Sequence, residues 1–547
     1  MDGALIVSRF DQNESDRKTL DGTLQLVERF VMPYRDDFYS DLNTESEVNW
    51  RRRSIFDGTA VNDCEQLSNA ISSNVAPAAM KWFNLTFRDD AVNEDQAARE
   101  WLDECERILW KTLLESDFHA EFNKSTLDIC GFGTNTLLME EEDDMEWKGI
   151  DFTATPLMDA YYELDSSDKI SRSYYRKRWT SLQAMDKLPD ANLSDLTKDD
   201  PIEMKKDYIL CIYYRDDHEK IDTSKPLAPE RRPVGYKWVC RTSGTVLKEG
   251  GYYFMPAMRN IWKATAGSKY GHSPAMIALS DIMQLNEFVA QLSEASAKAL
   301  DPALWTTERG FIGDVDLAAG GVTDVTDKDE FGLMPEGSNF AAANVELSRL
   351  QEGIHRHFKI DMLDLKESPA MTATEVMERR DRQREQFGPT VGGIEGSILE
   401  HVVENTFFSL ARHAQFPEAP DSVGDAELDI EYTGKLSRLM RSAEADATSV
   451  WVQEGMGMAQ MIPDVLDNYD FDAIVTGTGE ARGIPAKYRR DADSIEEIRT
   501  ARAEAQQKQA EAEQAKLAGG AVKDMAAGAK DMQGLDMENA TGEGSVQ

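Results

Sequence analysis

SPAMIALSDIMQLNEFVAQLSEASAKAL, residues 273–300, is the stretch on which the reading of this chain turns. Ser273 is a good helix N-cap. Pro274 is a good first helical residue, because the N–H it lacks would find no partner in a first turn. Met276, Ile277, Leu279, Ile282, Met283, Leu285, Phe288, Val289 and Leu292 follow without a break, and Asp301-Pro302 stops the helix. That is about 26 residues, or roughly 39 Å of rod. So many apolar side chains on so long a helix want neighbours on more than one side.

Working outward, a strand- and turn-rich insert follows, with Trp305, Phe311-Ile312, Ala319-Gly320-Gly321 and Phe331-Gly332. The spacing then predicts a returning helix over Ala341–Phe358. A third helix from Thr374 towards His413 is expected to break at Gly388-Pro389 and Gly392-Gly393. Upstream, the first 130 residues read as helical: Arg17–Phe30, Ala60–Val75 ending before Pro77, and about Asp95–Lys124. Strand patterns then take over. Thr136–Met139 leads into an acidic turn, Glu140–Glu146, and Tyr161–Leu164 with Ile170–Trp179 flanks the turn signal Asp165–Asp168. Tyr208–Tyr214, Gly235–Arg241 and Tyr252–Met255 alternate likewise. The fold class is therefore α+β, an antiparallel sheet set between helical parts. Beyond Tyr432 helices return, with an apolar cluster of Trp451, Met456, Met458, Met461 and Ile462. A capping box at Ser494–Glu497 opens a helix to about Leu517. The final segment, 519–547, holds almost no large apolar side chains and is expected to be disordered.

Composition narrows the function. The 547 residues carry 100 Asp and Glu against 60 Lys and Arg, a net charge of -40. Such a surface repels nucleic acid over most of its area, so tight sequence-reading DNA binding is not expected. A passage through which DNA slides without sticking fits the same sign of charge. Five scattered cysteines without CxxC pairs fit reduced thiols. The first ten residues show no signal-peptide pattern, and no run of about 18 apolar residues suggests a membrane span, so a soluble chain made inside the cell is expected.

Chemistry is not legible. Gly131-Phe132-Gly133-Thr134 lacks the Lys-Ser/Thr ending of a phosphate loop and reads as a turn between helix and strand. His355 and His357, two apart on a helix, point away from each other and cannot share a metal there; His401 and His413 have no companion ligands. The carboxylate run Glu140–Asp144 reads as a solvated turn rather than an acid–base pair. Among basic groups, Arg51–Arg53 and Arg176–Arg178 are weak candidates for DNA contact, and Arg379, Arg380, Arg382 and Arg384 alternate with acids as on a salt-bridged helix face. No cofactor, metal or catalytic residue is expected.

Several stretches occur in a collinear order that resembles the portal family (head-to-tail connectors) of short-tailed, podovirus-type bacteriophages. They are RRSIFDGT at 52–59, PAAMKWFNL at 77–85, 118–139 with its Gly131–Thr134, RNIWKATAGSKYGHSPAMIALSDIMQLN at 259–286, and Asp301-Pro302. The resemblance runs from about residue 15 to 510. It implies a non-enzymatic subunit of a ring of about twelve copies around a DNA channel. It further implies a wing over 1–270, a first stem helix over 271–300, a clip over 301–340 and a second stem helix over 341–359. A wing return with a channel loop would fill 360–431 and a helical crown 432–518. On that reading Ile277, Ile282, Leu285, Phe288 and Leu292 pack the stem, Lys366, Glu367 and Ser368 sit on the channel loop, and Trp305, Phe311 and Phe331 serve docking at the clip. Implied partners are further copies of the chain, the terminase large subunit, a tail adaptor, the major capsid and scaffolding proteins, and double-stranded DNA passing without sequence specificity, with no membrane. The implied place is one vertex of the virion after assembly in the host cytoplasm. Another virion ring component such as a tail adaptor, or a nucleotide-dependent packaging enzyme, are the alternatives.

Overall fold

The structure is a computed structural model. It describes residues 2–35, 53–89, 92–93, 95–141, 146–167, 169–189, 204–216, 218, 221, 226–265, 267–300, 304–306, 327, 329, 331–333, 340–360, 385–424, 428–433, 435–459, 463–481, 495 and 497–508. In chain order the elements are α1 (Gly3–Phe30), α2 (Thr59–Val75), β1 (Phe83–Phe87), α3 (Gln96–Glu115), α4 (Phe118–Phe132), β2 (Thr134–Glu141), β3 (Ile150–Ala154), β4 (Ala160–Leu164), β5 (Ile170–Thr180), α5 (Ser181–Lys187), β6 (Lys205–Tyr214), β7 (Val234–Cys240), β8 (Val246–Tyr252) and β9 (Ala257–Ile261). Then come α6 (Pro274–Leu300), β10 (Leu304–Thr306), β11 (Phe331–Leu333) and α7 (Phe340–His357). A helical run over 385–412 follows, made of α8 (385–394), a π turn at Glu395–Leu399 and α9 (Glu400–Arg412). The chain continues through β12 (Leu428–Tyr432), α10 (Lys435–Ala459), α11 (Phe471–Ala481) and a helix over 497–508.

The chain divides into two compact units, Met1–Met440 and Arg441–Gln547. The first is α+β. Its main sheet is an antiparallel meander, β4-β5-β6-β7-β8, beside a three-stranded sheet β3-β2-β9 and the pair β1-β12. Both faces of the meander are covered by apolar cores. On one face Tyr161, Tyr174, Ile209, Cys211 and Val239 pack under Ile6 and Phe10 of α1. On the other, Tyr162, Tyr175, Tyr208, Leu210 and Ile212 join the large core shared with the helices. Alternation along β5 and β6 thus sends neighbouring side chains to different cores. Arg17 of α1 is itself buried and donates to the carbonyls of Leu157, Met158 and Ala160. Its guanidinium lies 4.0 Å from the centre of the Tyr161 ring.

Several expectations are corrected. The first 130 residues are not all helical: Phe83–Phe87 is a strand, paired antiparallel with Leu428–Tyr432. The helix expected over Asp95–Lys124 is two helices broken at Ser116-Asp117, where the Asp117 carboxylate accepts the N–H of Phe152 (3.0 Å) and ties the break to β3. Residues 252–255 are not a strand but the end of β8 and the bend into β9. Glu140 and Glu141 belong to strand β2 rather than to a turn, while 142–145 lie outside the described residues. The helix after residue 385 runs through Gly388-Pro389 and Gly392-Gly393. Its irregularity is the π turn just beyond, where the Ser397 hydroxyl bonds back to the Gly393 carbonyl (2.6 Å).

In the second unit, Tyr469 packs at a tilt against Trp451 with ring centres 4.2 Å apart, and the Asp470 side chain caps α11 by accepting the N–H groups of Asp472 and Ala473. Trp451, Met456 and Met458 are exposed rather than gathered into a core; Met461, Ile462 and the capping residue Ser494 lie outside the described residues, as does 519–547.

Candidate functional site

The long helix α6 begins where the sequence places it, and the turn at Gly131–Thr134 is its seat. α4 ends on Gly133, whose φ of 76° is left-handed and whose N–H bonds the Ile129 carbonyl. A Cβ there would stand 2.8 Å from the Gly271 carbonyl oxygen and from the Ser273 nitrogen. Glycine is therefore required twice over, by conformation and by contact. Gly271 in turn donates to the Thr134 hydroxyl (2.8 Å), and Trp262 donates to the Gly133 carbonyl (3.0 Å). The Ser273 hydroxyl donates to the Gly131 carbonyl (2.7 Å) while accepting the N–H of Met276 (2.9 Å). One hydroxyl both caps α6 and fastens it to α4.

From that seat α6 runs antiparallel to α7. Asp281 near the start of α6 meets His357 at the end of α7 (3.4 Å), while the other ends are joined through the β10–β11 ladder. The first half of α6 packs on α1, α2 and α4 and buries Ala275, Ala278, Leu279, Ile282 and Leu285. From α7 only Leu350 and Ile354 are buried. No residue of α6 beyond Leu285 and none of α7 before Leu350 is buried. Phe288 and Leu292 are half-buried, whereas Ile277 is 51% exposed, Val345 71% and Leu300 88%. The outer halves carry surface pairs of i,i+3 and i,i+4 spacing, Glu294–Lys298 (2.8 Å) and Glu346–Arg349 (2.6 Å). Much of the apolar excess that the sequence assigns to neighbours is thus taken up by the chain's own core through Ile282 and Leu285. What is left uncovered is a mixed face.

A strap from residues 54–63 crosses both helices. The Asn286 side chain accepts the N–H of Phe56 (2.7 Å) and donates to the Ser54 carbonyl (3.1 Å). Gln351 donates to Asp57 (3.0 Å), and Asp57 accepts the N–H of Thr59 at the start of α2. His355 meets the buried Asp63 (2.7 Å). The 54–63 stretch therefore fixes the helix pair to α2.

The distal hairpin pairs Leu304 with Leu333, Trp305 with Gly332 and Thr306 with Phe331. Trp305 is 38% exposed and stands opposite a glycine. Phe311 lies outside the described residues, as do Lys366, Glu367 and Ser368, and of Phe331 only the backbone pairing is described.

Residues 4–489, which include the whole helix–hairpin–helix arrangement, match the family described as bacteriophage head to tail connecting protein. The chain belongs to that family. The connector is also similar to the probable portal protein of Bordetella phage BPP-1, with 24% identity over 524 residues, covering 92% of this chain and 91% of that protein. It is similar to the portal protein of Salmonella phage epsilon15 as well, with 22% identity over 538 residues, covering 94% and 93%. Recognition of the family from short collinear stretches is thereby established, and with it a bacteriophage portal, a structural head–tail connector of the virion.

The connector's other singled-out residues are structural. Arg176, 6% exposed, is held by Asp159 (2.9 Å) and Glu14 (3.1 Å) and ties α1 to the sheet, so it is no DNA contact. Arg51 and Arg52 lie outside the described residues, and so do Arg379, Arg380, Arg382 and Arg384. Glu140 accepts from the Tyr252 hydroxyl (2.6 Å), and Glu141 holds Ser409 and Arg412 of α9. His355 and His357 meet different carboxylates. Among the described residues no group of three His, Cys, Asp or Glu side chains could hold a metal ion, and no helix is long and apolar enough to cross a membrane. All five cysteines are free and buried; burial pushes the Cys105 and Cys211 thiols up to about 12. Sequence reasoning missed Asn286, Gln351 and Asp57. For Asp57 and Asn286 the only signal was that RRSIFDGT and the end of the 259–286 stretch both carry the family resemblance; for Gln351 there was none.

Proposed function

We propose that this connector forms a ring of about twelve copies at one capsid vertex, with an open axis through which DNA is packaged and later ejected. The α6–hairpin–α7 arrangement carries the reading: the inner half of the helix pair is buried in its own subunit, and the outer half is at most half-buried, in a chain that matches the connector family over residues 4–489. In this reading α6 and α7 are the stem, the β10–β11 hairpin with the rest of 301–340 is the clip, and 432–518 is the crown. Neighbouring copies cover the outer stem and, nearer its base, the exposed side chain of Ile277. The clip, through Trp305, Phe311 and Phe331, receives first the terminase motor and then the tail adaptor. Capsid and scaffolding proteins surround the wing.

The reading involves no bond chemistry. A wall of net negative charge keeps a polyanion from adhering, and a few cations such as Lys366, beside Glu367 and Ser368, make weak, salt-screened contacts that centre or brake it. ATP hydrolysis belongs to the motor. Lys366→Glu should change the length or retention of packaged DNA while rings form at normal yield. Unchanged packaged length would count against the channel role, and ATP or DNA hydrolysis by the pure connector would favour an enzyme instead.

A further inference from the structure

Two residues beyond α7 stands Lys359, whose φ of 58° is left-handed. Its N–H bonds the Arg356 carbonyl (3.1 Å), the position that glycine or asparagine usually fills at a helix end. Lysine is an unusual choice there, since its Cβ crowds the following carbonyl. The side chain suggests why it is present. Its ammonium donates to the Gln386 carbonyl in the first turn of α8 (2.7 Å) and lies 5.8 Å from the Trp262 ring centre and 5.1 Å from that of Phe387. Phe358, Ile360 and Phe387 are buried on either side. Strained backbone, an ammonium over two aromatic rings and a bond to a backbone carbonyl 27 residues away coincide at one residue.

We propose that Lys359 is a positioning residue: it fastens the start of α8 to the end of α7 over the Trp262 face and thereby fixes the base from which residues 360–385 depart. Its consequence for DNA rests on the channel reading above, because Lys366, Glu367 and Ser368 lie within that interval. The clamp itself does not. A glycine at 359 relieves the backbone and removes the ammonium; an arginine keeps a cation of similar reach.

The test is backbone amide exchange over 385–394 in assembled rings of full-length Lys359→Gly, Lys359→Met and Lys359→Arg, alongside thermal midpoints and DNA retention. Lys359→Gly should exchange roughly tenfold faster there, as expected on losing a hydrogen bond from a charged donor, without a lower midpoint. Lys359→Met should exchange faster too, and Lys359→Arg should stay near wild type. Wild-type exchange in the Gly variant would overturn the clamp, whatever happens to DNA. Failure of that variant to assemble would also overturn it, because the residue would then be a fold determinant. Faster exchange with unchanged DNA retention would uphold the clamp and count against the channel reading.

Discussion

At the scale of single residues, Gly133 and Gly271 carry more than their size suggests. Each presents its carbonyl where the other would place a Cβ, and between them they hold the start of α6. Gly133→Ala should cost about 2 kcal/mol or more, combining left-handed strain with a displaced Gly271. A thermal midpoint shifted by less than a degree would show that the seat is softer than its geometry. The buried thiols give a second check. With Cys105 and Cys211 held as neutral thiols and Cys64 and Cys130 fully enclosed, none of the five should react with a water-soluble disulfide reagent at pH 8 until the chain unfolds. Rapid labelling of any one in the folded protein would contradict that burial.

At the scale of elements, α6 divides into a half that stabilises the subunit and a face left for something else. Ile282→Ala, in the first half, should destabilise the chain by about 2–5 kcal/mol in a denaturant titration. Ile277→Cys should hardly affect stability, since that side chain is half in water. Because the native thiols are buried, the new one should label readily in dispersed chain and become protected on assembly. Labelling at the same rate in both states would remove Ile277 from any contact between copies. α6 was legible because its signals are local: a Ser-Pro cap, an unbroken apolar period and a Pro stop agree with one another. β1 was not legible, because its partner β12 lies at the far end of the first unit and no local pattern announces it. β8 was missed for a different reason. Gly250 and Gly251 supply no side chain to an alternating pattern, yet both are strand residues whose Cβ atoms would strike Tyr236 and the Pro229 carbonyl. Of the candidate site, the helix pair and the strand-rich insert between its helices could be foreseen from spacing, caps and turn residues, and the family resemblance assigned them to stem and clip. The strap through Asn286, Gln351 and Asp57 could not, because polar side chains at those positions look the same as solvated ones until the fold brings their partners together.

At the scale of the whole molecule, the balance of charge sets a condition on assembly. Copies each carrying a net charge of -40 repel one another at long range, and salt screens that repulsion more than it weakens short-range packing. Raising ionic strength from about 0.02 to 0.15 M should therefore lower the protein concentration at which oligomers appear in sedimentation. An opposite trend would mean that attractive charge pairs dominate the contact. The most direct measurement of the central claim is electron microscopy of the assembled full-length connector at a resolution that traces α6. It should reveal a closed ring in which α6 and α7 of successive copies stand side by side around an open axis, with Ile277 covered by a neighbour. Monomers at every concentration, or an assembly without an axial opening in which that helix face stays in water, would contradict it.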